Sequence, residues 1–192
     1  MDTRNMTIDG YFEVFGSKAP VPGGGGATAV IGGLACSACM MVCSLTMGKK
    51  KYADVEDDIR ALNERVRGMR EEFIKLADAD AEAFEPLSQA YSRKDVTDDE
   101  MDGLLEASGN VPLRILELGV ALLTDIRYMQ EHGSKLAVSD ADCAWNMAEA
   151  VIKNSEIMVK CNTKLMKNKE RAAGIDGKVE QLLARYRAFL VK

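Results

Sequence analysis

The stretch APVPGGGGATAVIGGLACSACMMVCSLTMGKKKY, residues 19–52, decides how the rest of the chain is read. Four consecutive glycines follow a Pro-x-Pro, and a long uncharged run then ends in three lysines. The run is long enough for a membrane span, since roughly 20 apolar residues suffice to cross a bilayer. Its composition weighs against one, because Ala, Gly, Ser, Thr and Cys insert weakly compared with Leu or Ile. Ala29, Gly33, Cys36, Met40 and Cys43 follow heptad spacing with mostly small side chains, a face that lets another backbone approach closely. Residues from about 27 to 47 are therefore expected to form the central helix, buried in a soluble bundle or dimer core. Pro20 and Pro22 bar helix ahead of it, and residues 23–26 are expected to form a turn that opens it.

Composition points the same way. A chain of 192 residues can bury a real core, and no repeat, low-complexity block or linker divides it, so one domain over residues 1–192 is expected. A net charge of −5 argues against nucleic acid, whose phosphates need a basic face. The five cysteines, an odd number lying mostly in apolar helical runs with no secretory signal before them, read as reduced thiols of a cytoplasmic protein. A single histidine, His132, leaves little for a His-rich metal site. Four prolines and abundant helix formers favour an all-α fold, an elongated bundle of about five or six helices.

Outward from the central run, residues 5–16 place Ile8, Tyr11, Phe12 and Phe15 at helical spacing with Thr7 or Asp9 as caps. The clearest pattern is Val55, Ile59, Leu62, Val66, Met69, Phe73, Leu76, Asp80, Ala83 and Leu87, an amphipathic stripe advancing by fours and threes. Asp80 sits on that stripe. Either it lies where a straight helix drifts by about 20° per heptad and is solvated, or it is a carboxyl held in an apolar wall, with a raised pKa. Thr97-x-x-Glu100 fits a capping box for a fourth helix with Met101, Leu105, Ser108, Ile115, Leu122, Ile126 and Met129 inward. Pro112 should kink it and free a carbonyl near Ser108. Ser139 or Asp140 can cap a fifth helix carrying Ala141, Ala148, Ile152, Ser155, Val159, Asn162 and Met166 on its stripe; AAGIDGK is expected to break the chain before a last helix.

Several motifs fail. Gly48-Lys49 does not satisfy a phosphate-binding loop, and no strand precedes the glycines for a dinucleotide fingerprint. Cys36, Cys39 and Cys43 point over more than one side of a helix, which suits small core residues better than tetrahedral zinc.

PVPGGGGATA, LTMGKKKY, DADAEAF, NVPL, AVSD and MVKCN occur in an order that resembles the formiminotetrahydrofolate cyclodeaminase and methenyltetrahydrofolate cyclohydrolase family over nearly the whole chain. The resemblance implies an all-helical homodimer acting on a tetrahydrofolate derivative, with no metal or redox cofactor beyond that substrate, and with neither nucleic acid nor membrane as partner. It implies a reaction through a tetrahedral carbon between two nitrogens, with a group to move protons. Asp80 is the expected catalytic acid–base, with Asp78 on the wet flank a poorer candidate. Pro22, Gly23, Gly24 and Gly25, where a helix presents free N–H groups, are expected to bind a carboxylate or carbonyl. Lys49 and Lys50 are expected either to meet the glutamate tail or to serve as favourable charge at a helix C-terminus. Tyr52 is expected to stack or pack, Asp140 to bind from the AVSD motif, and Asn162 to orient the pterin or the tetrahedral centre. Three positions depart from the family pattern: Gly26 stands where it has Ser, and Ser134 and Leu136 stand where it has two amides. These put the substrate choice in question, more than the fold.

Overall fold

The computed structural model describes residues 1–191. Among the described residues there are six α-helices and three short 3-10 turns, and no strand. Helix α1 covers Ile8–Phe15, α2 Gly24–Thr46, α3 Glu56–Ala90, α4 Asp98–His132, α5 Val138–Leu165 and α6 Lys169–Leu190. Helix α4 packs most extensively on α5, α2 lies against both α3 and α5, and α6 closes over α4 and α5.

Local chemistry explains most boundaries. Thr7 caps α1 by accepting from Gly10 N–H, and Thr97 caps α4 by accepting from Glu100 N–H. The reciprocal half of the expected capping box is absent, because Glu100 accepts from Arg93 instead. Cys36, Cys39 and Cys43 are all buried, and burial holds the Cys36 thiol up at about 12. The face of α2 that carries Leu34, Met41 and Leu45 is exposed at 56%, 43% and 44%.

Four expectations need correction. The glycines are not a turn before α2: Gly23 is its N-cap and residues 24–26 are its first helical turn. The inward stripe of α3 passes from Phe73 to Ala77 and Ala81, while Leu76 and Ala83 are only half-buried. That is the drift of a straight helix against a seven-residue repeat. Ser139 and Asp140 lie inside the first turn of α5, whose N-cap is Ala137. AAGIDGK does not break the chain, since α6 runs through Gly174 and Gly177. The break comes earlier, at residues 166–168, where Asn168 caps α6 and buried Asp102 of α4 accepts from Lys167 N–H at 2.7 Å and Asn168 N–H at 2.6 Å. Those two donors, with Arg171 and Lys169 nearby and burial opposing, hold the Asp102 carboxyl below its usual range.

Helices α3 and α4 run on through Pro86 and Pro112. A helical proline has no N–H, so the carbonyl four residues earlier loses its donor. For Pro112 that carbonyl belongs to Ser108.

Candidate active site

The glycine run is required by crowding. A Cβ on Gly25 would overlap Asp80 Oδ1, one on Gly26 would lie 3.2 Å from the Ala77 carbonyl, and one on Gly24 would lie 3.2 Å from Met158 Sδ. None of the three has positive φ, so close approach is the reason for glycine here. Stripped of side chains, the first turn of α2 presses onto the middle of α3. Gly26 N–H there donates to Asp80 Oδ2 at 2.7 Å. The bond spans 54 residues and satisfies one of the donors that a helix start leaves free.

Asp80 is half-buried and lines a cavity of about 220 Å³ that is mostly apolar-walled. Burial raises its pKa, and the bond from Gly26 only partly opposes this. Gly23, Ser108, Pro112, Met158 and Asn162 share the cavity. Gly109 lets α5 come close, since a Cβ there would lie 3.4 Å from Asn162 Cβ. The Asn162 amide donates to the Met158 carbonyl at 3.0 Å, which leaves its oxygen for another partner. Tyr91 and Cys161 complete the titratable groups of the wall, and burial raises the Tyr91 phenol.

The structure thus brings Asp80, Gly23 and Asn162 to one cavity, with Pro22 and Gly25 buried beside it and Gly24 on the adjoining groove with Phe15. Asp78 is turned to the N-terminal segment, where its Oδ1 accepts from Thr3 N–H and Oγ1–H at 3.0 and 2.6 Å. The remaining residues are elsewhere. Lys49, Lys50 and Tyr52 follow the far end of α2, a helix that spans roughly 34 Å at about 1.5 Å per residue over its 23 residues. There Tyr52 Oη accepts from Lys135 N–H at 3.3 Å, and Thr46 Oγ1 accepts from Ser134 N–H at 2.9 Å. That bond from Lys135 lowers the Tyr52 phenol, with Lys51 and Lys49 adding to it. Asp140 opens α5 after the same loop. One cavity therefore does not hold all the expected residues; they form two clusters at opposite ends of α2.

Sequence reasoning missed Met158 and Cys161 as wall residues although both stand in the MVKCN stretch, and it missed Phe84, Leu87, Tyr91 and Leu165. The signal for Leu87 is only its place on the apolar stripe of α3, which core residues share, and Leu165 lies off the stripe of α5 altogether.

Comparison with known proteins adds the following. The family model described as formiminotransferase-cyclodeaminase matches residues 7–181. A methenyltetrahydrofolate cyclohydrolase of Methylorubrum extorquens is 32% identical over 187 residues, covering 94% of this chain and 90% of its own. A formimidoyltransferase-cyclodeaminase of Dictyostelium discoideum is 25% identical over 150 residues, and the match takes in only 28% of that longer protein. Among solved structures, the formiminotetrahydrofolate cyclodeaminase of Thermotoga maritima superposes with a TM-score of 0.91 at 25% identity, over 96% of this chain and 92% of that one.

Proposed function

Because the chain belongs to the formiminotransferase-cyclodeaminase family, we propose that it is a folate one-carbon enzyme that forms or hydrolyses 5,10-methenyltetrahydrofolate. It acts either as a cyclodeaminase, releasing ammonia from the formimino compound, or as a cyclohydrolase, giving 10-formyltetrahydrofolate. The observation that carries the mechanism is the Asp80 carboxylate, with one oxygen held by Gly26 and the other without a protein donor among the described residues, in a wall shared with Asn162.

Both substrates carry an amidinium-like cation, which a carboxylate in low-dielectric surroundings attracts more strongly than in water. In hydrolysis, water adds to the carbon between N5 and N10 and gives its first proton to Asp80, which releases it to solvent. The tetrahedral carbon then breaks its bond to N5. The hydroxyl loses its remaining proton as the formyl C=O forms on N10, and N5 gains one. In cyclodeamination N10 attacks the formimino carbon, and Asp80 carries the N10 proton to the leaving nitrogen, which departs as ammonia. Asn162 orients the tetrahedral centre, and the free N–H groups at Gly24 and Gly25 take a carbonyl or carboxylate. A carboxyl with a raised pKa suits a group that must both take and return a proton near neutrality.

The decisive experiment follows the methenyl chromophore with purified protein. Loss of absorbance identifies a cyclohydrolase and gain from formiminotetrahydrofolate identifies a cyclodeaminase; no change in either direction refutes the proposal. One observation favours a second reading, a folate-binding protein of this fold with altered catalysis. The loop that departs from the family pattern has Ser134 N–H tied to Thr46 and Leu136 exposed at 92%. It predicts saturable folate binding with no change of chromophore.

We further propose that the enzyme is one domain over residues 1–192, a cytoplasmic, elongated homodimer with α2 at its core, using no cofactor beyond tetrahydrofolate and binding neither nucleic acid nor membrane. The uncovered apolar face of α2 supports the dimer, as does the distance between the two clusters. Antiparallel pairing about a two-fold axis sets the lysine end of one copy beside the Asp80 end of the other.

A further inference from the structure

The two helical prolines each leave a carbonyl without its usual donor, and the two carbonyls meet different surroundings. Pro86 of α3 and Glu82, one turn earlier, are both exposed, so solvent reaches the Glu82 carbonyl. Pro112 and Ser108 of α4 are both buried, Ser108 at 7% exposure, and both line the cavity of Asp80. Residues four apart lie one above the other on a helix face, with the carbonyl of the first between them. The Ser108 carbonyl therefore stands at the cavity wall, and its donor has to come from what the cavity holds. Buried carbonyls are seldom left without a partner.

The side chain of Ser108 repeats the pattern. Thr28, Ser37, Ser44 and Thr46 of α2 each donate to the carbonyl four residues earlier, the usual recourse of a hydroxyl inside a helix. Ser108 makes no hydrogen bond to the protein among the described residues, although it is buried at the wall. One residue thus brings a free acceptor and a free donor to the same cavity.

We propose that Ser108 is a substrate-binding residue that reads the pterin ring of the folate: its carbonyl, freed by Pro112, accepts from the ring amide N–H, and its hydroxyl donates to the adjoining ring C=O. A cyclic amide presents that donor and acceptor side by side, and the pterin carries one at N3 and C4. This inference rests on the proposed function. It sets the pterin against α4 and leaves the reacting carbon to the Asp80 wall on α3. Proline is needed in the middle of the helix because any other residue would return an N–H to the Ser108 carbonyl and close it. A buried polar site matched to a substrate N–H rejects an analogue lacking that group more strongly than an apolar site can.

The test compares tetrahydrofolate with its 4-amino analogue, which has no hydrogen at N3 and an amino group in place of the C4 oxygen. Binding of each is measured by titration calorimetry to wild type, Pro112→Ala, Ser108→Ala and Pro86→Ala. Wild type should hold tetrahydrofolate about tenfold or more tightly than the analogue, the worth of one or two hydrogen bonds. Pro112→Ala should weaken tetrahydrofolate by about tenfold and leave the analogue nearly unchanged, so that the preference disappears. Ser108→Ala keeps the backbone and should lose part of the preference, while Pro86→Ala should bind both ligands as wild type does. If Pro112→Ala loses both ligands equally, or keeps the wild-type preference, the proline only shapes the helix and the proposal falls. Should Pro112→Ala fail to fold, Ser108→Ala decides alone, and an undiminished preference there overturns the proposal. If wild type binds neither ligand, the functional reading fails and takes this one with it, whereas the preceding results leave that reading standing.

Discussion

At the scale of single residues, Asp80 sets two opposed demands against each other. Burial raises its pKa, so ionising it costs the fold something that grows as the pH rises from the unfolded to the folded pKa and is constant above that. Below the unfolded aspartate value of about 3.9 the group is neutral in both states and the cost vanishes. Asp80→Asn keeps an acceptor for Gly26 and removes the charge. Its melting temperature should match wild type below about pH 4 and exceed it above by a margin that levels off once Asp80 is fully ionised, while kcat falls by about a hundredfold or more. Calorimetry across pH with the chromophore assay checks both; equal turnover would remove Asp80 from the mechanism. Gly25→Ala is predicted to fail on both counts, because the new methyl must displace the Asp80 carboxylate. It should lose activity and about 1–3 kcal/mol in denaturant unfolding. Asp80 is legible in the sequence because a charge on a regular apolar stripe stands out against its period. The burial of Tyr11 is not, since an aromatic at helical spacing beside Ile8, Phe12 and Phe15 reads as one of four equal core residues, and only three-dimensional packing buries it and leaves the others exposed.

At the scale of elements, boundary chemistry decided by short-range bonds is easily read, and chemistry decided by distant partners is not. The caps at Thr7 and Thr97 are local and follow from the sequence. The start of α6 does not, because Asp102 reaches it across 65 residues, and the two glycines further on look like a stronger break than Asn168. That error is testable. No neighbour lies within 4 Å of a Cβ at Gly174 or Gly177, so alanine at either position should stabilise α6 by about 0.5–1 kcal/mol, where a true turn would lose stability. Removing the distant cap with Asp102→Ala should lower the melting temperature and speed hydrogen exchange at the start of α6. Helix α2 makes its own prediction. Its three cysteines are buried and Cys36 is held at about 12, whereas Cys143 and Cys161 are exposed. A thiol reagent should therefore modify two groups quickly in the native protein and five only after unfolding.

At the scale of the whole molecule, helix content and order are written in the hydrophobic periods, but the relation between the two ends of α2 is not. Periodicity fixes which face of a helix is inward; it carries no information on how far apart two motifs lie once the helix between them is rigid. The quoted motifs at the glycine and lysine ends therefore look like one site in sequence and stand roughly 34 Å apart along α2. The dimer proposed above predicts complementation. Asp80→Asn and the double change Lys49→Ala, Lys50→Ala should each impair turnover of a polyglutamylated substrate, and mixed dimers should regain activity through one intact site. Leu34→Glu with Met41→Glu should give monomers in sedimentation and abolish that recovery. If mixing restores nothing while both variants stay dimeric, the lysines serve the fold or the solubility of their own copy. The 2.7 Å bond from Gly26 to Asp80 has a further consequence for motion. In the mechanism proposed above, the acid that shuttles the proton is also the clamp on the head of α2, so that mechanism predicts a looser clamp when Asp80 is neutral and a tighter one when it is an anion. On that reading the head of the most apolar helix would exchange its amide hydrogens faster in Asp80→Asn than in wild type.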